Sequence, residues 1–263
     1  MGFQPIVPFS GLAGWAFLQR TQNAQQKAFE SGAEIQRDTA YFAENIGKIS
    51  TAGELVEDYR LLKVALGAFG LENDLPNKAF VLKVLEGGTL DPESFANRMV
   101  DKRYFALADA FGFDLGTPRT KLSDIASGLL ENYRTRQFEV AVGETDNNMR
   151  LALSLDRELT AIVSRDNSAD GRWFSVMGNE PLRKVFETAL GLPASVGALD
   201  IDRQLTVFRD RASAVLGNGE VDQFSNPDAR ERLNQLFLMR AQIAEGGLGI
   251  SSGSIALRLL QES

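Results

Sequence analysis

The sequence predicts an all-α fold, a multihelical bundle-like body of about ten helices. Three observations predict it. Apolar residues recur at the helical period over most of the 263 residues. Alternating β-branched runs bounded by turns are essentially missing, and capping residues mark helix starts and stops.

Taken in order, the elements follow from these signals. Leu55, Tyr59, Leu62, Leu66 and Phe69 step by four and three, which reads as one face of a helix. Asp91-Pro92-Glu93 supplies an N-cap, a proline suited to the first helical position and an acid at the positive helix end. Asn226-Pro227-Asp228 repeats that order, and Asn179-Glu180-Pro181 is a looser version. Between such starts the expected helices cover 22–46, 51–69, 77–86, 92–99, 101–111, 122–165, 171–177, 181–190, 200–216, 227–245 and 253–261. The stretch 122–165 reads as one long helix or as two, with Gly143 as its weak point.

One pattern is written three times: LLKVALGAFGL at 61–71, RYFALADAFGF at 103–113 and LRKVFETALGL at 182–192. Gly70, Gly112 and Gly191 each sit just past the last periodic residue, where a left-handed cap is expected. The apolar residue that follows can reach back in each copy, Leu71 to Leu66, Phe113 to Leu107 and Leu192 to Phe186. Convergence on good capping is one reading. Internal duplication is the other, because Leu61, Lys63, Val64, Ala68, Gly70 and Leu71 match Leu182, Lys184, Val185, Ala189, Gly191 and Leu192 at a single offset. The expected organisation is an apolar N-terminal arm, 1–20, and one multihelical domain, 21–263. In that domain pseudo-repeats 51–86 and 181–216 are joined by the long helical region 122–165.

Composition narrows the chemistry. The chain has no histidine and no cysteine. This removes thiol nucleophiles, Ser-His-Asp triads, imidazole acid-base work and Cys/His metal sites. The net charge of -7, with no Lys/Arg cluster, argues against nucleic acid and anionic membrane surfaces as partners. No stretch approaches the length of apolar sequence that spans a membrane, so no membrane insertion is expected. No Lys or Arg precedes the short apolar start, and Pro5 and Pro8 interrupt it, so no Sec signal is read there.

Candidate sites are sparse. GGLGISSGS at 246–254 lacks the strand and the Lys-Ser/Thr of a phosphate loop and reads as a loop and cap. Glu144, Asp146, Asp156 and Glu158 are acids on the long helical region, but neither close pair shares a helix face. DNSADGR at 166–172 lacks the glutamate of a calcium loop, with Met177 in its place. The arginines of REL at 157–159 and RDRAS at 209–213 read as salt-bridged surface. No catalytic residue, cofactor or metal is therefore assigned. The N-terminal stretch PIVPFSGLAGWAFLQRT is apolar and glycine-spaced, and Trp15, Phe17 and Leu18 are the expected anchors for a protein partner. The alternative is that the stretch folds back on its own body.

SGLAGWAFLQRT (10–21), LLKVALGAFGLENDLPNKAFVLKVLEGGTLDPESFANRMVDKRYFALADAFGF (61–113) and YRTRQFEVAVGETDNNMRLAL (133–153) resemble the domain-of-unknown-function family 1217. That family is alphaproteobacterial and helical, and some of its members carry repeated copies. Its genes often lie among flagellar genes. The resemblance implies a flagellar context and carries no catalytic residues. The expected function is a non-enzymatic interaction or scaffold protein of the flagellum, cytoplasmic or exported without a Sec signal, with self-association through helix stripes open to it. The alternatives are a carboxylate-based hydrolase of cell-wall glycan and a small-ligand binder between helices.

Overall fold

The computed structural model describes residues 2–247. The helix expected at 253–261, and the Gly/Ser stretch from residue 248, lie outside the described residues. Among the described residues there are thirteen α-helices and no strand, the all-α bundle that the periodicity predicts. They are α1 (Gly11–Glu30), α2 (Ala33–Asn45), α3 (Ala52–Glu57), α4 (Tyr59–Phe69), α5 (Lys78–Gly87), α6 (Phe95–Arg98) and α7 (Lys102–Phe111). There follow α8 (Ser123–Gly143), α9 (Asn147–Val163), α10 (Ala169–Gly178), α11 (Glu180–Leu190), α12 (Ile201–Leu216) and α13 (Pro227–Gly247). Residues 2–6 and 20–145 form one compact unit, and 7–19 and 146–247 form a second.

Several boundaries differ from expectation, each for a local reason. The helix expected over 22–46 begins at Gly11 and is split at Ser31–Gly32, where Gly32 turns extended before α2. The helix expected over 51–69 is split at Asp58, whose backbone is extended and whose carboxylate accepts from the N–H groups of Arg60 and Leu61. The stripe through Leu55, Tyr59 and Leu62 is broken there, and Tyr59 is exposed while Leu55 and Leu62 are buried. Asp91 does not cap a helix. It accepts from the Glu93 N–H in a turn, and Ser94 caps the short α6 instead. The region 122–165 is two helices. The second is capped by Asp146, which accepts from the N–H groups of Asn148 and Met149.

The two units repeat a local architecture. In the first, Asp58 ends α3 and caps α4; in the second, Asn179 ends α10 and caps α11. Both α4 and α11 end in a Schellman motif. Gly70 N–H donates to Gly67 O (3.2 Å) and Leu71 N–H to Leu66 O (3.0 Å); Gly191 N–H donates to Thr188 O (3.1 Å) and Leu192 N–H to Glu187 O (2.8 Å). Gly112 is left-handed as well, but its N–H makes a single bond, to Ala108 O (2.9 Å). The threefold motif of the sequence therefore divides into a matched pair and a simpler cap.

Packing follows the same correspondence. In the first unit α4 lies against α8 and α2; in the second α11 lies against α13 and α9. Leu129 and Tyr133 of α8 are buried, as are Leu233 and Phe237 of α13. The core of the second unit is an aromatic cluster in which Trp173 meets Phe186 and Phe208 edge-on, and Phe186 meets Phe224. Trp173 is fully buried, and its Nε1–H donates to Gly219 O (3.0 Å).

The loop before α6 depends on Gly88, which has φ 57° and ψ -156°, a conformation that residues with a Cβ do not adopt at low energy. A Cβ there would also overlap the Asp114 carboxylate, which accepts from the N–H groups of Thr89 (2.8 Å) and Leu90 (3.0 Å). Gly88→Ala is expected to cost about 3 kcal/mol, by strain and by displacing this carboxylate. Gly70→Ala, which meets only the movable end of Arg136, is expected to cost about 1–2 kcal/mol. Urea midpoints of the two variants check the order.

Candidate functional site in the first unit

The α2 stripe that faces α4 and α8 contains Ile35, Asp38, Thr39 and Phe42, all buried. An acid in that stripe must find partners, because an unpaired buried carboxylate is costly. Lys63 of α4 places Nζ 2.8 Å from Asp38 Oδ2 and 2.8 Å from Glu34 Oε1. Tyr133 of α8 donates its hydroxyl to Asp38 Oδ2 (3.3 Å), and Arg60 Nε lies 3.5 Å from Oδ1. Beside them, Arg60 stacks over Tyr41, whose hydroxyl donates to Asp58 (2.7 Å).

The second unit has a comparable tie between a helix and a cap residue. Tyr41 ties α2 to the cap residue Asp58; Glu158 ties α9 to the cap residue Asn179 (3.1 Å). One turn earlier on each helix stand Asp38 and Leu155. Lys184 stands on α11 and Phe237 on α13. Leu155 and Phe237 are both buried.

The electrostatics follow. Burial works against the Lys63 charge, but the hydrogen bonds to Asp38 and Glu34 outweigh it and hold the ammonium above its ordinary pKa. Burial raises the Tyr133 phenol, and the Asp38 charge adds to this while Lys63 opposes it. Burial raises Tyr104 too, together with its hydrogen bond to Asp74 (2.6 Å). All three groups hold a proton more tightly when folded than when unfolded. Their contribution is complete below the unfolded values of about 10 and is lost as pH rises beyond them. The urea midpoint is expected to stay level to about pH 9 and to fall above about pH 10. Tyr133→Phe should make that fall shallower.

Glu34 and Ile35 also line a cleft of about 760 Å³, whose other walls include Phe3, Gln4, Arg37, Gln137 and Glu144. Glycosidase chemistry would need one acid in an apolar setting with its pKa raised. Glu34 is largely exposed and engaged by Lys63. The Asp114 carboxyl moves the other way: burial would raise it, but the Leu90 and Thr89 N–H groups hold it below its ordinary value. Among the described residues no group of three or more His, Cys, Asp or Glu could hold a metal ion. The cleft offers hydrogen-bonding groups and the charges of Glu34, Arg37 and Glu144.

The other sequence candidates have structural partners. Asp156 pairs with Arg230, and Arg209 bridges Asp170 (2.7 Å) and Glu220 (2.9 Å). Glu144 lines the cleft, and Ser168 of DNSADGR caps α10. Trp15 and Leu18 lie on the buried face of α1, with Trp15 Nε1–H directed at Glu231 (3.4 Å); Phe17 is half-buried. The outward residues of this region are Phe9 and Leu12, 60% and 42% exposed. Gly11 packs against Gln242, so the first turn of α1 neighbours the last turns of α13, where Met239 and Ile243 are 42% and 67% exposed. Neither the Asp38 cluster nor this apolar group was singled out from the sequence. The signal for the first was an aspartate inside the apolar stripe of α2.

Fold and cleft together define a class: an all-α protein of two compact units, the first of which carries a cleft lined largely by polar and charged side chains. The family model described as "Protein of unknown function (DUF1217)" matches residues 68–229, more than half of the chain, and the chain belongs to that family. Its fold is similar to the X-ray crystal structure of a protein from Agrobacterium tumefaciens, with a TM-score of 0.74 and 24% sequence identity over 92% of this chain and 99% of that one. No curated protein matches the chain. No helix among the described residues is long and apolar enough to cross a membrane.

Proposed function

We propose that the chain is a non-enzymatic helical interaction protein that serves flagellar structure, assembly or regulation. The observation that carries the interaction reading is the exposure of Phe9, Leu12, Met239 and Ile243 in the second unit, where Gly11 at the start of α1 adjoins Gln242 of α13. Apolar side chains gathered on a surface mark contact sites more often than scattered ones do. Trp15 and Leu18 are buried on the same helix as Leu12, and Phe17 is half-buried there. The flagellar part rests on the genetic context that the family resemblance brings. The proposed place of action is the cytoplasm, or the flagellum after export.

The test is capture from the source cells with tagged native chain and with Phe9→Glu/Leu12→Glu, read by mass spectrometry. Flagellar proteins captured by the native chain and lost with the variant support the whole reading. Specific partners that are lost but are not flagellar would keep the interaction and remove the flagellum. Identical capture by both chains would remove the contact surface.

A further inference from the structure

Each Schellman cap is flanked by a pair of arginines, and the two pairs differ in what they hold. In the first unit a Cβ on Gly70 would stand 2.7 Å from Arg136 Nη1 of α8 and 3.7 Å from Arg103 Nη1 of α7. Arg103 donates to Gly70 O (2.6 Å) and also grips the Asp101 carboxylate, with Nη2–H to Oδ2 (2.7 Å) and Nε–H to Oδ1 (3.1 Å). In the second unit a Cβ on Gly191 would stand 2.8 Å from Arg240 Nη1 of α13 and 3.5 Å from Arg211 Nη2 of α12. Arg211 Nε–H donates to Leu190 O (3.2 Å), again at the helix end. Among the described residues no carboxylate accompanies this second pair. Neither Arg211 nor Arg240 makes an ion pair there, and the Arg240 guanidinium makes no hydrogen bond.

The difference follows from where the arginines enter. Arg103 lies in the first turn of α7, so the residue that caps that helix, Asp101, is within its reach. Arg211 lies in the body of α12, remote from the cap Asp200, which pairs with Arg203 (3.4 Å) instead. Glu187, in the last turn of α11, is held by Arg183 (2.8 Å). The helix end does not balance the charge either. Its C-terminus carries roughly half a negative charge against two guanidinium charges. Its carbonyls are largely taken, Glu187 O by Leu192 N–H, Thr188 O by Gly191 N–H and Leu190 O by Arg211. Arg211 is exposed and Arg240 half-buried, so the pair opens to solvent. We propose that Arg211 and Arg240 form a carboxylate-binding site at the end of α11, where an external acid plays the part that Asp101 plays in the first unit. Guanidinium forks match the two oxygens of a carboxylate, as Arg103 and Asp101 demonstrate within this chain. A small organic acid and an acidic side chain of another protein offer the same group, and the test separates these two sources. The site is independent of the exposed apolar residues of the second unit.

The probe is sodium succinate, titrated into the full chain labelled with 15N-arginine, with ionic strength held constant by sodium chloride. The arginine Nε–H signals are read by NMR. Those of Arg211 and Arg240 are expected to shift saturably, with half-saturation on the order of millimolar. In Arg240→Gln the Arg211 signal should need at least about fivefold more succinate, the size of one exposed charge pair. If that variant fails to fold, Arg211→Gln, a change at an exposed residue, carries the same comparison through the Arg240 signal. The second arm is an acetylated, amidated diglutamate peptide, which also presents two carboxylates. Tighter binding of the peptide than of succinate supports the site with a protein side chain as its source, and the reverse supports it with a small acid. Phosphate that moves the same signals at lower concentration than either overturns the carboxylate as the ligand class. Shifts no larger than those from sodium chloride, or left unchanged by the variants, overturn the site.

Discussion

Trp173→Ala is expected to destabilise the second unit by about 3–5 kcal/mol, the range for emptying a large aromatic site in a packed core. Trp173 is fully buried at the meeting of α10, α11 and α12, edge-on to Phe186 and Phe208. Its removal leaves a cavity lined by rings that cannot collapse into it, and it leaves Gly219 O without the indole donor. Trp173→Phe keeps part of the ring contact and loses that donor, so it should cost about half as much. Urea unfolding followed by circular dichroism measures both. A loss under about 1 kcal/mol for the alanine variant would mean that the aromatic cluster does not organise this unit.

Asp38→Leu is expected to cost about 2 kcal/mol, and adding Tyr133→Phe should return part of that loss. The single change strands the Tyr133 hydroxyl in a dry site and takes from Lys63 its buried partner. The cost is held to the lower end for a buried pair because the Lys63 side chain is 27% exposed and keeps Glu34. The double change installs the residue types of Leu155 and Phe237, both buried in the second unit. Strict additivity of the two losses would show that the carboxylate and the phenol act independently and that the second unit is no guide to the first.

How far the fold was legible varies along the chain. Gly70 and Gly191 were readable as caps because a left-handed C-terminus needs little beyond local geometry. Asp58 was not readable as a break. An aspartate inside a periodic stretch fits an exposed helical position as well as an N-cap, and only packing of α3 and α4 at an angle decides between them. Asp91 was read as the cap before α6, but Ser94 takes that place, and Asn97 donates to Thr89 O and Asp91 O to hold the turn that precedes it. The site was less legible than the fold. Asp38, Lys63 and Tyr133 are far apart in sequence and meet only once α2, α4 and α8 are packed. For Trp15, Phe17 and Leu18 the sequence shows an apolar stretch but not its facing, and the structure places Trp15 and Leu18 buried and Phe17 half-buried.

The division of aromatic residues between the two units has an optical consequence. Both tryptophans, Trp15 and Trp173, lie in the second unit, and all four tyrosines, Tyr41, Tyr59, Tyr104 and Tyr133, lie in the first. Emission excited at the red edge therefore watches one unit alone, and tyrosine ultraviolet absorbance follows the other. A single unlabelled sample in a denaturant titration then yields two curves, and their coincidence or separation reports directly whether the chain melts as one cooperative body or as two.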